Sequence, residues 1–250
     1  MDRFKNKNLL YLGASLFGSY IFYKFILSKN KKANLLLKRE KKGILNLIDS
    51  NVDHLFSVKD LIAPKADAFD KPIEFCKKIK KINQDIPIKL IISTRGGSLT
   101  SCEKILKQLK KHKSGYIAYI KNECFSAGTL IALGAKEIVM KEDSYLGKID
   151  PQISASSEAY PAIIFHNLDE KHISSFNIHK VNLSKQVLNY TEEILNEIYP
   201  QDSNVKKEIR KNMIYSELPH NKTFNYDICQ KMEINVRLPK DDEMYLFEDS

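Results

Sequence analysis

The stretch Ile88-Lys89-Leu90-Ile91-Ile92-Ser93-Thr94-Arg95-Gly96-Gly97-Ser98 decides the class of fold. Its first six residues form a short, largely apolar run of strand type, and Arg95-Gly96-Gly97-Ser98 is a turn. Leu99, Cys102, Leu106 and Leu109 then recur as one face of a helix, with Lys104, Lys107, Lys110 and Lys111 mostly outside it. Residues 116–120 read as a second strand, 125–133 as a buried helix rich in small residues, and 137–140 as a third strand. Strand, helix, strand, helix, strand implies parallel pairing with right-handed crossovers, an α/β domain.

Outward from this centre the pattern is less regular. Ile44, Leu45, Leu47 and Ile48 suggest a helix, and Ile73, Phe75, Ile79 and Ile82 another. A long helix is expected over roughly 182–199, from Leu183, Val187, Leu188, Ile194, Leu195 and Ile198. The segment 201–250 is polar, and its last ten residues read as a loose acidic tail. This assigns one domain to 43–240 and a tail to 241–250.

Composition limits what such a domain can do. The chain has 250 residues, 43% of them hydrophobic, enough for a good-sized core and too apolar for disorder. Cys76, Cys102, Cys124 and Cys229 are widely spaced with no CxxC, which argues against a disulfide scaffold, a zinc ribbon or a thioredoxin-type site. The net charge is +9, yet residues 1–42 hold eleven Lys and Arg against only Asp2 and Glu40. The basicity therefore belongs to the N-terminal segment, and the main domain carries no global footprint for nucleic acid.

That N-terminal segment reads as a membrane anchor. Residues 9–27 are broken by one charge, Lys24, and as a helix would span roughly 28 Å, near the hydrocarbon thickness. Lys24 is close enough to the end to snorkel, and Tyr11, Tyr20 and Tyr23 suit interfacial positions. The run is long for a signal peptide, and no small-x-small cleavage site follows it. We expect 1–28 to be a single transmembrane helix with a basic N-terminus and 29–42 a basic linker. The flanking positive charge predicts a cytosolic C-terminal domain.

Two turns can carry chemistry. Gly96 and Gly97 follow a strand, permit positive φ and allow close approach of a ligand to backbone N–H groups. No Walker or dinucleotide-binding glycine pattern occurs. The second turn is Cys124-Phe125-Ser126-Ala127-Gly128-Thr129, between an apolar strand and an apolar helix. Ser126 there has two readings: a nucleophile at a helix start, whose neighbour's N–H stabilises an oxyanion, or an N-cap serine.

The order of the segments resembles a known family. Ser-Thr-Arg-Gly-Gly, then Phe-Ser-Ala-Gly-Thr, then Leu-Gly-Lys-Ile-Asp-Pro-Gln is similar to the Clp protease/crotonase superfamily, and within it to the serine dehydrogenase proteinases, relatives of signal peptide peptidase A. That family reads Thr-Pro-Gly-Gly, Ser-Ala-Gly-Thr and Leu-Gly-Pro-Val-Asp-Pro-Gln, and tends to carry a late His-Asp-x-Pro stretch. Pro219-His220-Asn221-Lys222-Thr223-Phe224 with Glu233-Ile234-Asn235-Val236 is similar to the last, so the likeness covers about residues 43–238. Arg95 and Lys148 stand where the family has Pro. The resemblance implies repeated ββα crossovers, a serine peptidase without ATP, metal or other cofactor of its own, and a homo-oligomer acting on peptides or membrane proteins. It implies Ser126 as nucleophile, with oxyanion donors at the backbone N–H of Gly97 and Ala127 and with Gly96 retained beside them.

Three residues are candidates for the general base. Lys185 ranks first: related membrane peptidases of the signal peptide peptidase A type place their catalytic Lys in a comparable region. A helix starting near Asn182 would put Lys185 in its first turn, where the dipole disfavours an ammonium. Lys148 is second, close to where Clp-type proteases place their His. His220 is third, with a side chain suited to proton transfer near neutrality. Two other readings compete: a scaffold that keeps the fold without activity and assembles at a membrane, and a crotonase-like acyl-CoA enzyme. The Phe-Ser-Ala-Gly segment favours the peptidase.

Overall fold

The computed structural model describes residues 44–48, 69–155, 158–168 and 175–247. The anchor and linker expected over 1–42 lie outside the described residues. Among the described residues no helix is long and apolar enough to cross a membrane.

In chain order the first elements are β1 (Ile44–Ile48), α1 (Pro72–Lys80), β2 (Ile88–Thr94), α2 (Leu99–Lys110), β3 (Tyr116–Cys124), α3 (Ala127–Leu133), β4 (Ile138–Met140) and β5 (Tyr145–Gly147). A hairpin of β6 (Gln152–Ala155) and β7 (Glu158–Pro161) follows, then α4 (Ala162–His166), α5 (Ser175–Ile198) and α6 (Asn204–Ile209). After a π-helical turn at Arg210–Ile214 come β8 (Thr223–Asn225), α7 (Tyr226–Lys231), β9 (Val236–Arg237) and a 3-10 turn at Asp241–Leu246.

The alternation centred on residue 88 folds as its sequence requires. The main sheet runs β1-β2-β3-β4-β9, with every neighbouring pair parallel. α2 begins with Ser98 as N-cap, its hydroxyl accepting from Ser101 N, and buries Cys102, Ile105, Leu106 and Leu109. All seven residues of α3 are buried, as a helix of small and apolar residues demands.

β3 is long enough to serve two partners. Its residues 118–120 pair with β4, and Glu123 and Cys124 pair with β5, which in turn pairs antiparallel with β8. Thr94 of β2 lies opposite Cys124 from the other side. The carboxyl ends of β2, β3 and β5 therefore meet at one place, where parallel α/β sheets characteristically open to ligands.

Three expectations need correction. Residues 44–48 are a strand, not a helix, paired in parallel from Ile44 opposite Lys89 to Ile48 opposite Ser93. A five-residue apolar run fits either period, and the open edge of β2 decides it. The long helix begins at Ser175, not near Asn182, so Lys185 lies in its third turn and the helix-start argument for it lapses.

Residues 241–247 of the acidic tail are not loose, while 248–250 lie outside the described residues. Strand periodicity turns Leu90, Ile92, Ala118 and Ile120 into the main core but Ile91, Tyr119 and Val139 to the opposite face, and Leu246 and Phe247 cover that face. Glu243 locks the cover in place. It accepts from Arg237 Nη1 at 2.6 Å, Arg237 Nη2 at 2.8 Å and the Tyr119 hydroxyl at 2.8 Å. The Arg237 fork holds its carboxyl down at about 2.

Candidate active site

Ser126 stands at the turn between β3 and α3 with φ 51° and ψ −122°. A non-glycine residue in this region is strained and persists only where its surroundings dictate it. They do so here. Phe125 N donates to Thr94 O at 2.9 Å, Ser126 N to Lys148 O at 3.0 Å, Gly128 N to Phe125 O at 2.9 Å and Leu130 N to Ser126 O at 3.2 Å. The buried Thr129 hydroxyl lies within reach of two carbonyls, Cys124 O at 2.6 Å and Gly147 O at 3.1 Å, clamping α3 to the ends of β3 and β5. The Ser126 hydroxyl makes no cap hydrogen bond, so the N-cap alternative fails although the residue sits at the cap position. Ala127 N–H, the first of α3, has no carbonyl one turn behind it to bond.

The glycine loop abuts this turn. Gly96 has φ +104°, and a Cβ on it would lie 2.8 Å from Ser126 Cβ, 2.9 Å from Phe125 O and 3.2 Å from Ala127 N. Its own N–H is held by the Thr94 hydroxyl at 3.1 Å. Gly97 follows, packed so closely under Phe69 that a Cβ would fall 2.4 Å from the ring. Arg95 turns outward: it is exposed and donates from Nε to Glu123 Oε1 at 3.3 Å, leaving both glycines in place.

The third motif brings in the rest. Lys148 passes beside Ser126 through its carbonyl, and Asp150 lies two residues on, at most about 7 Å along the chain. Asp150 is fully buried, and its Oδ1 is 2.8 Å from His220 Nδ1. A carboxylate so placed accepts, so Nδ1 carries the hydrogen and Nε2 is left to take a proton. Gln152 Nε2 donates to Asp150 Oδ2 and to Asp150 O, both at 3.2 Å. The same amide nitrogen is 3.1 Å from His220 Nδ1, a packing contact, because that hydrogen belongs to the carboxylate.

Lys148 is also fully buried, with Nζ 2.8 Å from Ser216 O, 2.7 Å from Leu218 O and 3.3 Å from Asp150 Oδ2. Three acceptors, two carbonyls and a carboxylate, thus surround its three ammonium hydrogens.

Of the three candidate bases, the structure places His220 and Lys148 together around Asp150. Lys185 sits half-buried in mid-helix. Asp150 and Gln152 were missed as functional residues. The signal was available, since both belong to the Leu-Gly-Lys-Ile-Asp-Pro-Gln motif, but nothing in sequence shows which side chain a motif Asp will meet. The nearby thiols are poor competitors for Ser126: burial pushes Cys102 and Cys124 well up, and Cys102 Sγ donates to Ala127 O at 3.3 Å.

Comparison with known proteins places the chain in a family. The model of the ClpP-like SDH-type serine proteinases matches residues 67–248. Two curated proteins of Methanocaldococcus jannaschii are similar. The uncharacterized protein MJ1495 is 30% identical over 67% of this chain and 58% of its own length, and the uncharacterized protein MJ0137 is 28% identical over 69% and 61%. The chain thus spans about 60% of the length of the curated relatives it matches. Among solved structures, a serine-to-alanine mutant of the 1510-N membrane-bound stomatin-specific protease aligns at 16% identity and TM-score 0.48, over 71% of this chain and 75% of that one. A lysine-to-alanine mutant of that protease, in complex with a substrate peptide, aligns at 16% and 0.49, over 70% and 71%.

Proposed function

Because this chain belongs to the ClpP-like SDH-type serine proteinase family, we propose that it hydrolyses peptide bonds through Ser126, with His220 as general base and Asp150 orienting the imidazole. The observation that carries this reading is Ser126 itself: a hydroxyl free of any cap bond, on a strained backbone, at the meeting point of the glycine loop and the Lys148–Asp150 segment. Ser126 Oγ attacks the scissile carbonyl while its proton passes to His220 Nε2. The carbonyl oxygen becomes an oxyanion held by the N–H groups of Gly97 and Ala127, and the imidazolium then protonates the leaving amine. Asp150 fixes the tautomer.

Residues 9–27 tether this domain to a membrane, with the C-terminal domain on the cytosolic side, and the substrates are peptides or membrane proteins. The working unit is a homo-oligomer. These features rest on the apolar run, its flanking charge and the family's habit.

Single substitutions test the mechanism. Ser126→Ala and His220→Ala are expected to lose several orders of magnitude in peptide cleavage, and Ser126→Ala to lose labelling by a serine-hydrolase probe. Lys185→Met is expected to stay active. Full cleavage by Ser126→Ala would eliminate the nucleophile. Full cleavage by His220→Ala, with loss in Lys185→Met, would restore the Ser-Lys dyad.

A further inference from the structure

We infer that Lys148 is a positioning residue that joins the nucleophile's turn to the loop carrying the base, an inference that rests on His220 being that base. One residue reaches three parts of the site. Its backbone carbonyl accepts from Ser126 N at 3.0 Å. Its ammonium lies 3.3 Å from Asp150 Oδ2, the other oxygen of the carboxylate that holds His220. Its remaining hydrogens go to Ser216 O and Leu218 O, and Leu218 is two residues before His220.

The chemistry explains why a lysine is used. Residues 215–222 form no helix or strand, so the carbonyls of this loop have no ladder to bond. Partly buried carbonyls without donors, and a fully buried carboxylate without a cation, are each unfavourable. The Lys148 ammonium answers both demands at once, and its long stem crosses the interior to do so with 0% of the side chain exposed. It supplies no proton to the reaction. It sets where Asp150 and the Pro219-His220 turn stand relative to Ser126.

The test is a double-mutant cycle in the full chain, using an activated peptide ester so that residual rates stay measurable. Lys148→Met is expected to lower kcat/KM about a hundredfold, mainly through kcat, as displacement of a reacting group by an ångström does. In the His220→Ala background the same change is expected to add little, because a residue that acts through His220 has nothing left to position. Wild-type activity in Lys148→Met, alongside an inactive His220→Ala, overturns the inference and leaves the base assignment standing. So does a double mutant whose loss equals the product of the single losses, since Lys148 would then act through general stability. An active His220→Ala instead overturns the base assignment and this inference with it. If Lys148→Met does not fold, Lys148→Gln carries the cycle, because its amide can donate to the Ser216 and Leu218 carbonyls without the charge. The same non-additivity is expected, and wild-type activity in that variant overturns the inference.

Discussion

Replacing Gly96 by Ala tests the tightest contact in the site. At φ +104° the backbone lies beyond the left-handed helical well, in a region that side chains rarely enter, so strain of about 1–3 kcal/mol is expected from conformation alone. The added methyl would also sit 2.8 Å from Ser126 Cβ and 2.9 Å from Phe125 O. Neither is the far end of a flexible side chain. Ser126 is fixed through its N–H and its carbonyl, so the overlap contributes about another 1–3 kcal/mol. The sum of roughly 2–6 kcal/mol corresponds to a fall in melting temperature of about 4–24 °C for a domain of this size. Relief of the overlap must move the glycine loop away from Ser126, and cleavage should fall by about a hundredfold or more. Gly115→Ala is the control. Its φ of +67° is also positive, but the three atoms nearest a methyl there all belong to the flexible Lys136 side chain, so about 1–2 kcal/mol of stability and no activity should be lost. Thermal melting and peptide cleavage on the three proteins decide. A Gly96→Ala variant that melts within about 2 °C of wild type and cleaves normally would refute the close packing of loop and nucleophile.

Glu243→Gln tests the C-terminal cover. The Arg237 bond holds this carboxyl at about 2, below the ordinary 4.5, so its contribution is complete above pH 4.5 and fades as pH falls towards 2. Up to about 3 kcal/mol should separate variant from wild type in denaturant unfolding at neutral pH, narrowing through that window; a gap constant with pH argues against it. For the anchor, full-length protein should resist alkaline carbonate extraction from membranes, while a chain lacking residues 1–42 should be soluble; extraction of the full-length protein rules the tether out.

Local pattern was enough for the centre of the molecule. Residues 88–140 alternate apolar strand and amphipathic helix so clearly that parallel pairing followed, and the quoted motifs singled out Ser126 and the glycine pair because those positions need particular backbone freedom and exposure. Contacts between segments far apart in the chain could not be read this way. Ile44–Ile48 is a strand because β2 offers it an edge, and residues 241–247 are ordered because Ile91, Tyr119 and Val139 need cover that a distant apolar pair supplies. The choice among Lys185, Lys148 and His220 lay beyond local pattern for the same reason. Charge, spacing and helix position favoured Lys185, whereas proton transfer depends on which groups meet across 70 residues, and it is Asp150 that faces His220, with Lys148 buried behind it.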